Sequence, residues 1–353
     1  MFWYMYQNHF LGRSNVAFDS IIIGHEIIMS VFEFFEQEQL INNRINRKKK
    51  YKYTVSKNQQ DAWNLIFRHK PDWELCDDYS LSDFVYSSYC DVYGKNMYFR
   101  KEYTKFFHRK YIFFSILMDN NISYCPKTWF SYKKFLRNEP LNGDLWFLKL
   151  STFDCGGGVT PFFATENGIS RPRKYLKEDR YIIQKGVQNL LLYDNRKFDS
   201  RVHILINRKG NVYLYKEAVI RISHKKFSEK CCCRKHQLTN GSLGVEAISS
   251  NDFPLWRELY GNLILAIKEI MRTMMRFRDK KGFALIGFDF IFDKNRKPWI
   301  LEANTYPNLY YQHVDPHLQP MINDMMDTTL DIIVYKKNKN TNFRINNLWQ
   351  RVV

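Results

Sequence analysis

The sequence predicts an α+β fold, antiparallel sheet covered by helices, and three stretches carry that expectation. From Ala284 to Phe292 small and large apolar residues alternate about Asp289, the period of two that a strand requires. The turn DKNRKP follows, with Asp293 and Asn295 suited to tight backbone conformations and Pro298 unsuited to a central strand. Trp299 to Asn304 resumes the alternation, so Glu302 and Asn304 share a face and antiparallel pairing about the turn sets Asp289 opposite Glu302. A second group of strands reads from YIIQK (Tyr181 to Lys185), from NRKFDSRVHILI and, after the Lys209-Gly210 turn, from NVYLYKEAVIRI. In the middle one Asp199, Arg201 and His203 fall on one face and Val202, Ile204 and Ile206 on the other. The third stretch, Leu255 to Met274, spaces Leu255, Leu259, Leu263, Ile267, Ile270 and Met274 as the buried stripe of a covering helix.

Two carboxylates and a carboxamide on one face of an oily hairpin require a partner, because a bare buried carboxylate is costly. Either Asp289 and Glu302 form salt bridges with Lys or Arg, or with Asn304 they hold a hard divalent ion. Mg2+ is commonly bound through one or two carboxylates together with nucleotide phosphates.

Composition narrows the partners. The 353 residues allow a sizeable core in two or three lobes. With 54 Lys and Arg against 36 Asp and Glu, the net charge of +18 favours an acidic polypeptide, an anionic surface or nucleic acid. No recognisable nucleic-acid motif accompanies the aromatics Tyr51, Tyr53 and Trp63, so nucleic acid is the weaker expectation. The seven cysteines are odd in number and three are adjacent, at Cys231, Cys232 and Cys233, which argues against a disulfide framework; the run lacks a CxxC partner for zinc. His313 and His317 are four apart, but Pro316 between them spoils a helical zinc pair. SIIIGHEIIMSVFEFF is interrupted by His25, Glu26 and Glu33, too early for a membrane span, and an intracellular, cytoplasmic protein is expected.

Three lobes are expected. Residues 1–95 form a basic N-terminal lobe, with a helical segment around Ile21 to Phe35 and a cluster of Arg44, Arg47, Lys48, Lys49, Lys50 and Lys52 that is either a solvated run or a docking patch for an acidic chain. Residues 96–181 form a central lobe, with a helical piece through Lys133 and Phe135 and then DLWFLKLSTFDCGGGVTPF. There a short apolar strand ends in Lys149, and Ser151 and the run Gly156, Gly157, Gly158 follow. Consecutive glycines leave amide N–H groups free to turn toward phosphate oxygens, although a surface loop gives the same string. Residues 182–353 form the C-terminal lobe, ending in a closing helix from Met321 to Val334 and the polar, basic tail KKNKNTNFRINN. Its polar residues, from Gln184 through Arg221 and HQLTN to Asn304, gather on strand faces and ends, as the walls of a ligand crevice do.

From Pro126 to Pro307 the ordered motifs resemble the tubulin-tyrosine ligase-like family of ATP-grasp carboxylate-amine ligases. They are Pro126 and Thr128, the W-x-x-K strand ending at Lys149, Gly158-Val159, Gln184-Lys185, K-F-D-x-R from Lys197 to Arg201, Arg221, H-x-L-T-N from His236 to Asn240, and GFDFIFD…PWILEANTYP. The resemblance implies an ATP-grasp fold with nucleotide between the central and C-terminal lobes. It implies ATP and Mg2+ as cofactors, with Lys149, Ser151, Gly156, Gly158, Gln184, Lys185, Lys197 and Asp199 on the nucleotide side. Arg201, Arg221, Thr239 and Asn240 would face the reacting groups, and Asp289, Glu302 and Asn304 would hold the metal. The implied reaction joins an amino acid, whether tyrosine, glutamate or glycine, to a carboxylate of an acidic polypeptide such as tubulin through an acyl phosphate, by a monomeric, cytoplasmic or microtubule-associated enzyme. Relatives usually carry a basic residue near the centre of the glycine loop, where this chain has Phe153, Asp154 and Cys155. The alternative is a weakly active or inactive ATP-grasp fold that binds tubulin or nucleic acid through its basic surface.

Overall fold

The computed structural model describes residues 50–87, 103–151, 158–173, 181–239, 245–278, 282–313, 315–335 and 348–353. The helix expected over Ile21 to Phe35, the basic run as far as Lys49, Gly156, Asn240 and the tail KKNKNTNFRINN lie outside the described residues. Residues 51–353 form one compact unit.

A small parallel sheet opens this unit, in the order β2-β1-β3, from β1 (Tyr51–Val55), β2 (Trp73–Leu75) and β3 (Phe84–Tyr86). Parallel neighbours need a crossover, and α1 (Gln60–Phe67) supplies one between β1 and β2. Helical spacing turns Trp63 and Phe67 into the layer that buries Phe84 and Tyr86. Polar contacts tie this layer to the C-terminal half, among them the Ser56 and Tyr306 hydroxyls at 2.6 Å, Trp73 Nε1 donating to the Tyr335 hydroxyl at 2.6 Å, and Lys70 paired with Asp327 at 2.5 Å. An i→i+5 turn, Thr104–His108, then leads into α2 (Lys110–Asp119).

Next comes a four-stranded antiparallel sheet in the order β4-β7-β5-β6, from β4 (Thr128–Trp129), β5 (Leu145–Leu150), β6 (Val159–Phe163) and β7 (Tyr181–Lys185). Against it packs α3 (Tyr132–Asn138), capped by the Ser131 side chain on the Lys134 amide. Phe135 meets Trp146 and Phe162 edge-on, giving this lobe its own core. The four-residue turn α4 (Ser170–Arg173) follows β6.

The largest sheet is antiparallel, in the order β10-β9-β8-β11-β12 with β13 on β9. Its strands are β8 (Arg196–Ile206), β9 (Val212–Lys226), β10 (Val245–Ser249), β11 (Ala284–Phe292), β12 (Pro298–Asn304) and β13 (Trp349–Arg351), with the short helix α5 (Arg234–Gln237) between β9 and β10. The expected covering helix is α6 (Trp256–Met274), with Leu259, Leu263, Ile267, Ile270 and Met274 fully buried; each stabilises the fold by about 1.5–3 kcal/mol. The closing helix, α7 (Gln319–Ile333), buries Ile322, Met325, Met326 and Leu330. All nine residues of β11 are buried, so this strand is covered on both faces, which explains its nearly unbroken apolar sequence.

The hairpin keeps the expected pairing of Asp289 with Glu302, and Gly287 pairs with Asn304. Two details differ from expectation. Pro298 belongs to β12, opposite Phe292; it opens a strand at the sheet edge, where a missing N–H is tolerated. The register also shifts beyond Asp289: Phe290 pairs with Ile300, leaving Leu301 as the extra residue of a bulge beside the acidic pair. The turn closes through Asp293, whose Oδ1 accepts from the amides of Asn295 and Lys297 at 2.9 and 3.1 Å.

Candidate functional site

The register of the large sheet arranges charge in rows. Glu302 lies across from Asp289, Asp289 across from Arg201, and Asp199 across from Arg221. Because Asp199 and Arg201 are two apart on β8 they share a face, and the side chains interlock. Arg201 donates to both carboxylate oxygens of Asp289, at 2.8 and 2.8 Å. Arg221 reaches Asp289 through Nη2 at 2.8 Å and Asp199 through Nε at 2.6 Å, while the Thr239 hydroxyl donates to Asp199 Oδ2. Burial works against the charge of both guanidiniums, but the adjacent carboxylates hold their pKa values above the ordinary range.

Across the crevice the four-stranded sheet contributes cations. Lys149 Nζ donates to Gln184 Oε1 at 2.6 Å and to the carbonyl of the bulge residue Leu301 at 3.3 Å; Gln184 in turn donates to Thr128 at 3.1 Å. Lys185 pairs with Asp144 at 2.7 Å. On β8, Lys197 donates to the Gln237 carbonyl at 2.7 Å. Burial lowers the pKa of Lys149 and of Lys197 to about 8 each, with Glu302 opposing the fall for the first and Asp199 for the second.

These groups surround one pocket. Leu145, Phe147, Val159, Leu190, Leu238 and Ile291 make one part of its wall apolar, and Lys149, Lys185, Lys197 and Arg221 with Asp199, Asp289 and Glu302 make the rest polar. Four cations against three carboxylates leave that wall positive before Arg201 and Lys110 behind it are counted. A buried excess of positive charge suits an anionic ligand, and a slot with both apolar and cationic walls suits a base carrying phosphates.

Among the residues singled out from the sequence, Lys149, Gln184, Lys185, Lys197, Asp199, Arg221, Thr239, Asp289 and Glu302 line this pocket. Arg201 stands behind it through Asp289, and Asn304 donates to Glu302 Oε1 at 3.0 Å. Gly158 closes its end of the glycine loop by accepting from the Leu150 amide at 2.9 Å. Ser151 is not brought to the pocket wall; it is buried and accepts from the Tyr111 amide at 3.1 Å. His203, below Arg201, is fully buried, and neither ring nitrogen has a hydrogen-bond partner among the described residues; burial lowers its pKa to about 3 and keeps it neutral.

One contributor escaped the sequence reading. Lys110, the first residue of α2, is buried and lies 3.5 Å from Glu302 Oε2. Burial opposes the Glu302 charge, but Lys110, Arg201 and the Asn304 amide hold its carboxyl well below the usual carboxylate range. Helical spacing puts Lys110 on the same face as Phe113, Phe114 and Leu117, all buried, and a lysine sharing an apolar face was the available signal.

Both readings of the acidic hairpin meet here. The carboxylates are salt-bridged to Arg201, Arg221 and Lys110, and Asp289, Glu302 and Asn304 together still offer only oxygen ligands of the kind Mg2+ takes. Among the described residues no three His, Cys, Asp or Glu side chains converge as a metal cage. Two carboxylates and an amide therefore fit an ion that completes its shell on a phosphate ligand rather than a closed structural site.

Comparison with known proteins supplies an independent line. The family described as YheC/D-like ATP-grasp matches residues 162–335. The human protein named "Probable tubulin polyglutamylase TTLL2" is 26% identical over 194 residues, 46% of this chain and 31% of that protein. A Caenorhabditis elegans protein named "Probable tubulin polyglutamylase ttll-9" is 24% identical over 202 residues, covering 48% of this chain and 47% of its own length. "Tubulin glycylase 3B" of Tetrahymena thermophila is 23% identical over 246 residues, 60% of this chain and 20% of that protein. The chain thus spans less than half the length of each of these relatives. The expected ATP-grasp fold and the resemblance to tubulin-tyrosine ligase-like proteins are borne out, at low identity.

Proposed function

We infer that this ATP-grasp protein, a relative of the tubulin-tyrosine ligase-like family, is an ATP-dependent ligase that joins an amino acid to a carboxylate of an acidic polypeptide, with tubulin as the foremost candidate. The observation that carries the reading is the interlocked set Arg201, Arg221, Asp199 and Asp289, with Lys197 beside it on β8 and Lys149 facing it from the four-stranded sheet, at one pocket. No side-chain nucleophile is needed for such chemistry. What it needs is fixed positive charge for a phosphoryl group in transfer, and these residues provide it without reorganising.

In this reading the apolar wall, with Phe147, Leu238 and Ile291, takes the adenine, and Lys149, Lys185 and Lys197 hold phosphate oxygens. Asp289, Glu302 and Asn304 would hold Mg2+, which when bound neutralises phosphate charge. Arg221, on the pocket wall, orients the acceptor carboxylate or the incoming amino acid, its position fixed by Asp199 and Asp289, while Arg201 supports it from behind by holding Asp289. Phosphorylation of the acceptor carboxylate gives an acyl phosphate, and attack by the amine forms the amide and releases phosphate. The chain is proposed to act as a monomer, in the cytoplasm or associated with microtubules. No helix among the described residues is long and apolar enough to cross a membrane.

The deciding experiment supplies the purified chain with Mg-ATP, tubulin and each radiolabelled amino acid in turn. Amide-linked label from one donor is expected, and that donor separates tyrosine from glutamate or glycine transfer. ATP binding with no label from any donor would overturn ligation and favour a binding role.

A further inference from the structure

Cys231, Cys232 and Cys233 lie on the connection from β9 into α5, which runs directly into the Gln237, Leu238 and Thr239 part of the pocket wall. The Cys233 amide donates to Cys231 Sγ at 3.3 Å, so the Cys231 side chain turns back toward Cys233 across one residue. Arg171 Nη1 donates to Cys232 Sγ at 2.8 Å. Hydrogen bonds from Cys233, and the nearby Arg171 charge, hold the Cys231 thiol below its ordinary pKa, while the same contact raises that of Cys233. A partly exposed thiol beside an arginine, with a second thiol two residues on, is the arrangement of a reactive cysteine with its resolving partner. A metal role is not supported, because no convergent His, Cys, Asp or Glu group occurs among the described residues.

The same connection is wired to the pocket. Gln237 Nε2 donates to the carbonyls of Ser228 and Cys231 at 2.9 and 2.7 Å, and the Gln237 amide donates to the Cys233 carbonyl at 3.2 Å. The Gln237 carbonyl accepts from Lys197 at 2.7 Å. Reorienting the backbone at 231–233 therefore disturbs the residue that positions Lys197.

We propose that Cys231 and Cys233 form a modification site for peroxides, closing to an intramolecular disulfide that weakens nucleotide binding in the adjacent pocket. The Cys231 thiolate attacks one peroxide oxygen; an S–O bond forms, the O–O bond breaks, and the departing hydroxide takes a proton to become water. The Cys233 sulfur then attacks the Cys231 sulfenic acid; the S–S bond forms, the S–O bond breaks, and hydroxide leaves with the Cys233 proton as a second water. Two electrons pass from the thiols to the peroxide. Adjacent cysteines bridge poorly, which directs closure to the 231–233 pair rather than through Cys232.

The nucleotide effect rests on the reading of the pocket given above, whereas disulfide formation does not, and the test keeps them apart. The full chain is treated with hydrogen peroxide, mapped by peptide mass spectrometry and titrated with Mg-ATP before and after reduction by dithiothreitol. The wild type should acquire a 231–233 link and Cys233→Ser should accumulate a dimedone-trappable sulfenic acid at Cys231. Affinity should fall about fivefold or more on oxidation and return on reduction, with no response in the Cys231→Ser, Cys233→Ser double variant. Failure of the link to form, or a link that leaves affinity unchanged, overturns the proposal. A chain that binds no nucleotide even when reduced defeats the pocket reading instead, and the mass spectra then decide the thiol site alone.

Discussion

Glu302 and Lys149 oppose each other across the pocket, and each makes a measurable prediction. The Glu302 carboxyl is held below its usual range, so its stabilisation is present at neutral pH and is lost as pH falls through the carboxylate range toward the lowered value. Glu302→Gln should therefore flatten the acid limb of a urea-denaturation series while Mg2+-dependent ATP binding falls about tenfold or more, the loss expected for a charge that meets a metal. Unchanged Mg-ATP binding in the folded variant would remove β12 from the site. Lys149 has the opposite sign. Its pKa, lowered to about 8, rises again when a phosphate replaces lost solvation, so binding takes up a proton and affinity must decline as pH climbs above about 8. Lys149→Met should weaken ATP binding about ten- to hundredfold at pH 7, the worth of a charge-assisted hydrogen bond, and make the alkaline decline shallower. Isothermal titration from pH 7 to 9.5 reads both, and a decline of equal slope in the variant would assign it to another group.

At the level of elements, helix α6 holds the large sheet without touching the chemistry, so its residues should separate stability from function. Leu263 is fully buried on its stripe, and Leu263→Ala should destabilise the chain by about 2–5 kcal/mol in chemical denaturation, with ATP affinity of the folded fraction unchanged. A loss of affinity without loss of stability would mean that the helix positions the site. This stripe was readable because periodicity records burial directly, and so were β7, β8 and β11, whose limits follow from runs of alternating or unbroken apolar residues. Asp289 opposite Glu302 was readable for the same reason: once a turn is fixed, pairing is arithmetic. The Leu301 bulge was not, because an extra residue in one strand leaves the hydrophobic pattern intact and is chosen by contacts such as Lys149 to the Leu301 carbonyl. Lys110 was obscured by its setting. In a chain with a net charge of +18, one lysine among basic residues reads as surface, although its own helix turns it inward.

Over the whole molecule, charge acts on two length scales that salt can separate. At the pocket, Lys149, Lys197 and Arg221, with Arg201 behind them, lie within hydrogen-bonding reach of partners and are shielded from solvent, so ionic strength should change nucleotide affinity only modestly. Outside it, the surplus of basic residues that gives the whole chain its net charge of +18 would act on an acidic acceptor across solvent, where the Debye length is about 8–10 Å at physiological salt and attraction fades as salt rises. The acceptor KM should therefore climb with added salt while the KM for ATP holds nearly constant. The basic run from Arg44 to Lys52 is the densest part of this charge in the sequence, and reversing its centre tests whether the field is local. Lys48→Glu, Lys49→Glu and Lys50→Glu together should raise the acceptor KM several-fold at low salt, less at high salt, and leave the KM for ATP alone. Steady-state transfer assays at two ionic strengths distinguish the cases. Equal acceptor KM values for variant and wild type at low salt would identify the run as a solvated segment and move acceptor capture to the charged rim of the pocket.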